Sequence, residues 1–432
     1  MNKTPKIIVA HPGKQHSFRL ATALKQKDML YKYLTTVYYK RNSKVLPLID
    51  KLTQGKLSHS INSRKCEFLD DNDVVQFYSF ASLIILLLVR INNNGKIYHA
   101  WNNWITNRFG IKVAKYAIKN RIDVVIMYDT TADTCFQYLK RKAPHIKLVI
   151  DSSAACNEYV VKTFERDLQS HPEGNLRQEA EHFWNKQQRE CLSRERFNTD
   201  IYLVPSLYCK RSLLPYINST QKIFVQPYGS NFKIEEKKEF FIGNRLNFLF
   251  LGQVSYRKGA HYLLQAFSEM QNENIKLYMV GMYDKNAELY SKYRNLSNVE
   301  FCGFVGHNKI QEYFMKSEIM IIPSLSEGMT LAGLEGLSQG VPLICTETSG
   351  VNDLINNYEN GIVIREQDAS EILNAVKWFI LHTANIPKMS KNACNTAREY
   401  TWDRYYSRMG ELCKYIFFED SLSSKVGECD FR

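Results

Sequence analysis

Short apolar runs, each too brief for a helix and each followed by a longer amphipathic stretch, recur along this chain and limit its fold more than any other feature. In the first half they are residues 7–10, 124–128, 148–151, 201–204 and 223–226, with helical periodicity over 18–27, 112–120 and 179–196. A run with no polar face must be covered on both sides, and the segments between runs supply the covering helices, which is the pattern of a parallel α/β sheet. After Tyr228-Gly229 the chain turns charged and non-periodic over residues 233–239, the best linker candidate. A second series follows, with strand-like runs at 246–251, 276–280, 299–302, 319–322, 343–345 and 361–364. Helix candidates lie at 261–270, 309–316, 331–338 and 370–381. Two doubly wound α/β domains are therefore expected, and between about residues 40 and 110 the pattern is less regular.

At 432 residues the chain can bury two or three real cores, and 44% hydrophobic with 23% charged residues excludes wholesale disorder and a polytopic membrane protein. Lys and Arg number 57 against 44 Asp and Glu, a formal charge of +13. That excess predicts attraction to a polyanion: nucleic acid, an anionic bilayer surface or a phosphate-bearing substrate. The ten cysteines are scattered, with no C-x-x-C pair and no Cys/His cluster at zinc spacing, so free thiols in a reducing cytosol are expected. The N-terminus lacks the length and cleavage site of a signal peptide, and export is not expected. Residues 80–89 are the most apolar stretch, well short of the roughly 18–20 a spanning helix needs, and predict a buried or interfacial helix. The tail beyond Ser421 is polar and Ser-rich and is expected to fray.

Three loops of the second half converge on one kind of ligand. Gly252-Gln253-Val254-Ser255-Tyr256-Arg257-Lys258-Gly259 carries a strand into a helix with two adjacent cations, which suits a phosphate or diphosphate. A strand–loop–helix joint with solvated cations is, by itself, the commoner meaning of such a loop. In Pro323-Ser324-Leu325-Ser326-Glu327-Gly328-Met329-Thr330-Leu331, Glu327 precedes a helix start whose free N–H groups face the same crevice, and Glu335 follows on that helix. Carboxylates so placed suit the vicinal hydroxyls of a sugar and a ribose, although a cap and a solvated Glu are the bland alternative. The third loop, 346–353, ends another strand on the same side of the sheet, where ligands of open α/β sheets collect.

With these residues in view, the chain resembles the retaining family 4 glycosyltransferases of the two-Rossmann-domain (GT-B) architecture, whose second domain carries an E-x7-E motif in a P-S-x-x-E-G stretch. The likeness is close over 246–380, continues through Pro205-Ser206 and Pro227-Tyr228-Gly229, and weakens over 1–200. It implies two Rossmann-like doubly wound domains facing each other across a cleft: an acceptor-binding domain over 1–232 and a nucleotide-sugar-binding domain over 233–401. A helix over 402–420 then crosses back to the first domain, and 421–432 form a flexible tail.

The resemblance implies a retaining, metal-independent hexosyltransferase acting in cell-envelope polysaccharide or glycolipid assembly. Its donor would be a nucleotide-diphosphate sugar and its acceptor a saccharide or lipid-linked saccharide, with no further cofactor. Glu327 would meet the hydroxyls of the transferred sugar, the Gly328, Met329, Thr330 and Leu331 backbone the phosphates and sugar, and Glu335 the ribose. Lys258 occupies the diphosphate-binding lysine position. Gln253, beside Gly252, stands where the family usually has Arg, and Arg257 is the candidate to supply that charge. In the first domain, Gly13 lies in the loop facing the donor and His16 and Lys14 are acceptor-side candidates. Asp129 and Asp151 end strands there; either suits an acceptor hydroxyl, although an Asp beside Ser or Thr is more often a helix cap.

Asp71-Asn72-Asp73 imitates a D-x-D metal motif, but its acidic polar setting before a helix reads as capping, and no catalytic metal is expected. Lys32, Lys40, Arg41, Lys44, Lys51, Lys56, Arg64 and Lys65 precede the apolar stretch 80–89, a combination that suits peripheral docking on the inner face of the plasma membrane as well as a solvated face. Two alternatives differ in class: a synthase of small soluble glycosides or sugar phosphates, and a basic nucleic-acid-binding protein. The second lacks an aromatic RNA-binding signature, a zinc finger or a long basic helix. No nucleic-acid partner is expected.

Overall fold

The computed structural model describes residues 5–13, 16–40, 64–92, 95–237, 239–242, 245–270 and 274–418. Lys14, much of the basic segment between Lys40 and Arg64, and the tail beyond Ser421 lie outside them. Seven parallel strands form the first sheet: β1 (Ile7–Ala10), β2 (Leu30–Thr35), β3 (Val74–Gln76), β4 (Val124–Tyr128), β5 (Lys147–Asp151), β6 (Ile201–Val204) and β7 (Lys222–Val225). Their order is β3-β2-β1-β4-β5-β6-β7, so the winding reverses between β1 and β4. Six more make the second sheet: β8 (Leu246–Leu251), β9 (Ile275–Val280), β10 (Val299–Gly303), β11 (Ile319–Ile322), β12 (Leu343–Thr346) and β13 (Gly361–Ile364). Its order is β10-β9-β8-β11-β12-β13, reversing between β8 and β11. All residues of β1, β4, β6, β11 and β12 are buried, as runs without a polar face require.

Helices cover both faces. In the first domain they are α1 (Ser17–Gln26), α2 (Ser79–Asn92), α3 (Lys96–Lys119), α4 (Asp133–Lys142), α5 (Asn157–Ser170), α6 (Leu176–Glu179), α7 (Lys186–Asn198) and α8 (Leu207–Leu213). The second has α9 (Ala260–Ser268), α10 (Glu288–Tyr293), α11 (His307–Lys316), α12 (Leu331–Ser338), α13 (Ala369–Leu381) and α14 (Ile386–Glu399). A last helix, α15 (Trp402–Phe418), returns to the first domain and lies along α1. There the Arg19 guanidinium stacks 4.3 Å from the Trp402 ring and donates to the Tyr406 hydroxyl at 2.8 Å.

Several elements differ from the sequence reading for definite reasons. β2 and β3 are absent from the sequence reading because β2, beside the edge strand β3, carries Lys32 in a partly buried first half, and β3 is only three residues long. The helix expected over 179–196 is broken: α6 stops at Glu179, and α7 restarts after Asn185, whose side chain accepts the Gln188 N–H at 3.0 Å. The charged stretch 233–239 is exposed at Lys233, Glu235, Glu236 and Glu239. Lys237 is buried in it, donating to the Ser317 carbonyl at 2.5 Å and lying 3.5 Å from the buried Glu318 carboxylate.

α2 is not fully buried: Phe80 is 76% exposed. Among the described residues no helix is long and apolar enough to cross a membrane. The nine described cysteines are unpaired. Asp71–Asp73 form one 3₁₀ turn closed by a reciprocal Asp70–Asp73 capping box, and Lys25 pairs with both carboxylates, so the D-x-D pattern is a cap.

Candidate active site

The loops at the carboxyl ends of β8 and β11 flank the point where the second sheet reverses, the place where open α/β sheets bind ligands. The β8 loop brings Arg257 Nη1 to 3.0 Å and Lys258 Nζ to 2.6 Å from the same oxygen, Oε1 of Glu327 on the β11 loop. Two cations and one carboxylate thus meet at the switch point, all partly buried, so their attraction is less screened than on an open surface. Gly281, at the end of β9, has φ +147° and packs against the back of this loop; a Cβ there would lie 1.8 Å from the Gly252 carbonyl oxygen. Gln253 is exposed and borders a crevice of about 220 Å³ between the domains, with Asn175, Gln178 and Met282.

The remaining β11-loop residues are arranged differently from the expectation of free amides. Thr330 donates its N–H to the Ser349 carbonyl at 3.2 Å and its hydroxyl to the same oxygen at 2.9 Å, so this amide is occupied. Met329 is buried and its sulfur accepts the Tyr228 N–H of the first domain at 3.3 Å. Leu331 is 38% exposed at the first position of α12. Glu335, in the second turn, accepts from the Asn231 side chain at 3.3 Å. The 346–353 loop acts as a prop: Thr348 accepts the Glu327 N–H at 2.9 Å, and the Thr346 and Thr348 hydroxyls donate to the Ser324 carbonyl at 2.7 and 2.9 Å.

Across the seam, the first domain presents the loops after β1, β4 and β5. His16 Nε2 lies 3.2 Å from Asp151 Oδ2 and 3.3 Å from the Tyr228 hydroxyl. Burial draws the His16 pKa down, but the neighbouring Asp151, and then Asp129, outweigh it and hold the imidazole above its ordinary value. His11 is buried and brought to about 4 by burial, hence neutral, and its Nδ1 accepts the Gly13 N–H at 2.8 Å. Gly13 therefore sits in a loop turned by His11.

Neither aspartate caps a helix. Asp151 belongs to His16, and Asp129 accepts from the Ser152 hydroxyl at 3.4 Å. The amides ahead of α4 are taken instead by Glu195 of α7, which accepts from Thr130, Ala132 and Asp133 at 2.9, 2.7 and 3.0 Å. Nothing in the sequence marks Glu195 for this, because a carboxylate in a polar helix looks solvated.

Burial raises the Asp129 carboxyl to about 6, against the pull of His16. A carboxyl whose folded value lies above its unfolded one favours folding when protonated, and that contribution is lost as pH rises through about 6. Asp129→Asn is therefore expected to stabilise the chain by about 1–2 kcal/mol at pH 8, allowing for partial screening, with the gain gone by about pH 4. Urea unfolding at the two pH values measures it; a pH-independent difference contradicts it.

The two clusters are brought together at Gly328. A Cβ there would lie 1.8 Å from the Ser153 carbonyl oxygen, two residues past Asp151, so only glycine admits this approach of the domains. The Ser206 hydroxyl, at the N-terminus of α8, donates to the Gly328 carbonyl at 2.6 Å, and Tyr208 bonds Ser326 at 2.9 Å. The Pro205-Ser206 and Pro227-Tyr228 segments thus meet the β11 loop directly.

Residues 231–399 match the family model of group 1 glycosyl transferases. The matched stretch holds Arg257, Lys258, Glu327 and Glu335. Among curated relatives, the D-rhamnosyltransferase WbpZ of Pseudomonas aeruginosa is 32% identical over 151 residues, 34% of this chain and 39% of that protein. The chain spans less than half the length of the first curated relatives it matches, with alignments covering 44%, 41% and 42% of three of them. Among solved structures, sucrose-phosphate synthase from Thermosynechococcus elongatus superposes with a TM-score of 0.65 at 14% identity, over 96% of this chain and 99% of that one. Anabaena HepE in complex with UDP-glucose gives 0.56 at 13% identity, over 95% and 99%. At these identities the likeness is one of fold, the GT-B arrangement of two Rossmann-like domains.

Proposed function

We propose that this protein is a glycosyltransferase that moves a hexosyl group from a nucleotide-diphosphate sugar to a saccharide or lipid-linked saccharide acceptor, with retention and without a metal. The observation that carries the reading is the meeting of Arg257 and Lys258 on Glu327 at the switch point of a domain matching group 1 glycosyl transferases. Anabaena HepE, of the same fold, is known with UDP-glucose bound, which supports a nucleotide-sugar donor.

In this reading the donor diphosphate takes Arg257 and Lys258, releasing Glu327 to the hydroxyls of the transferred sugar. Glu335 serves the ribose, and the leaving phosphate accepts the acceptor proton. The protein's work is to neutralise the diphosphate and to orient both sugars, with His16, Asp151 and Asp129 on the acceptor side. Because two cations meet the diphosphate, turnover is expected to withstand EDTA. Glu335→Ala should weaken nucleoside-diphosphate binding about tenfold with little change in kcat, whereas Glu327→Ala should cut kcat about 100-fold with little change in affinity. Initial rates and calorimetric titration separate the two; equal, small effects would sink the assignment. A thermal-shift panel of UDP, GDP, ADP, CMP and their sugars identifies the donor.

A membrane-linked acceptor is supported by α2 and α3. Phe80, Ile97 and Trp104 are exposed, at 76%, 73% and 43%, and the Arg108 guanidinium lies 5.9 Å from the Trp104 ring. Neither helix contains Asp or Glu, while they carry Arg90, Lys96, Arg108, Lys112, Lys115 and Lys119. Aromatic side chains beside cations without carboxylates suit the anionic inner face of a plasma membrane. Sedimentation with phosphatidylglycerol vesicles, lost in Phe80→Ser/Trp104→Ser and absent with phosphatidylcholine, is the expected result. Equal behaviour with both lipids would return the acceptor to solution and favour synthesis of a soluble glycoside.

A further inference from the structure

The loop that carries Arg257 and Lys258 belongs to the second domain, but its backbone is held by the first. Glu179, the last residue of α6, accepts the Tyr256 N–H at 3.1 Å through one carboxylate oxygen and the Arg257 N–H at 3.0 Å through the other. One turn further on, His261 Nε2 and the Tyr262 hydroxyl reach a single oxygen of Asp167 on α5, at 3.1 and 2.9 Å, with the Asp167 side chain fully buried. Between these points the Tyr256 ring lies so close to Gly174 that a Cβ there would meet it at 2.4 Å. Residues 167–179 thus grip the loop both before the cations and after them.

These contacts are not needed to complete either sheet, and each joins one domain to the other. Two consecutive amides bound by one carboxylate fix the orientation of the peptide from which the Arg257 side chain leaves, and Lys258 follows it. We infer that Glu179 is a positioning residue, by which the first domain sets the Arg257–Lys258 pair for a diphosphate. The donor's phosphates then find their cations in place only while the domains are docked at this seam. The inference rests on the nucleotide-sugar reading for its biological meaning, but its mechanical content can be tested with a bare diphosphate.

Calorimetric titration of the full-length chain with inorganic pyrophosphate is the experiment. Glu179→Ala is expected to weaken pyrophosphate binding about tenfold, because charge-assisted contacts depend steeply on geometry. Glu179→Gln, which keeps one acceptor for the amides, should stay within about threefold of the unchanged chain. In a Lys258→Ala background the further loss on adding Glu179→Ala should shrink below about threefold, since the two act through one site. A Glu179→Ala effect under twofold, a Gln variant as poor as Ala, or a full tenfold loss persisting in the Lys258→Ala background would each overturn the inference. Binding of pyrophosphate without binding of UDP, GDP, ADP or CMP would remove the nucleotide-sugar reading and leave the role of Glu179 standing. An unaltered chain that binds no pyrophosphate removes both.

Discussion

Replacing Lys258 with alanine is expected to lower turnover about 1000-fold, roughly 4 kcal/mol of transition-state stabilisation. Its ammonium sits 2.6 Å from Glu327, closer and less exposed than the Arg257 guanidinium at 3.0 Å. In the proposed reaction negative charge grows on the leaving diphosphate as the glycosidic bond breaks, and a fixed cation in a partly dry site would stabilise that charge more than it stabilises the bound donor. Donor affinity should therefore fall only about tenfold, and the larger loss should appear in kcat. Arg257→Ala should cost less, about 10–100-fold, because its more exposed side chain acts through better-screened charge. Initial rates at saturating donor decide the point; a Lys258→Ala enzyme within threefold of the unchanged chain would remove this lysine from the mechanism.

The largest effect on stability is expected at Glu318. Its fully buried carboxylate accepts the Asn247 and Phe241 amides, each at 2.8 Å, and faces the buried Lys237 ammonium. Burial pushes the Lys237 pKa down while Glu318 holds it up, so the pair persists because each member offsets the other's desolvation. Glu318→Ala leaves an ammonium and two amides without that partner, and a loss of about 4 kcal/mol is expected, on the order of 10 °C in Tm for a domain of this size. Glu318→Gln combined with Lys237→Met removes both charges, keeps an acceptor for the amides, and should recover at least half of the loss. Chemical denaturation followed by circular dichroism measures both variants; a loss below about 1 kcal/mol in Glu318→Ala would mean that water reaches the pair.

What could be read from the sequence was local along the chain. β4, β6, β8, β11 and β13 coincide with apolar runs because burial on both faces leaves no charged residue in them. The cation loop and the Glu327 loop were recognisable because strand, glycine, charge and helix start follow one another within a dozen residues or so. Contacts between distant segments left no such trace. His16 meets Asp151 across 135 positions, Glu195 takes the amides that Asp129 was thought to serve, and Glu179 was read as the start of a continuous helix that in fact breaks so that its carboxylate reaches Arg257. A carboxylate that caps a remote loop and one that faces water look alike in sequence, since both interrupt an amphipathic pattern in the same way. The same holds for Lys237 in the charged 233–239 stretch, which is buried and paired with a glutamate 81 residues on.

The return of α15 to α1 has a consequence for how the protein is made. Leu20 and Leu24 of α1 share a buried cluster with Tyr405, Tyr406 and Met409 of α15. α15 is synthesised nearly 400 residues after α1, so one side of the first domain stays uncovered while the second domain is still being translated. Nascent chains should therefore pass through a stage in which both sheets are formed but this flank is adhesive, and the closing of α15 over it is the step at which a chaperone would most affect yield.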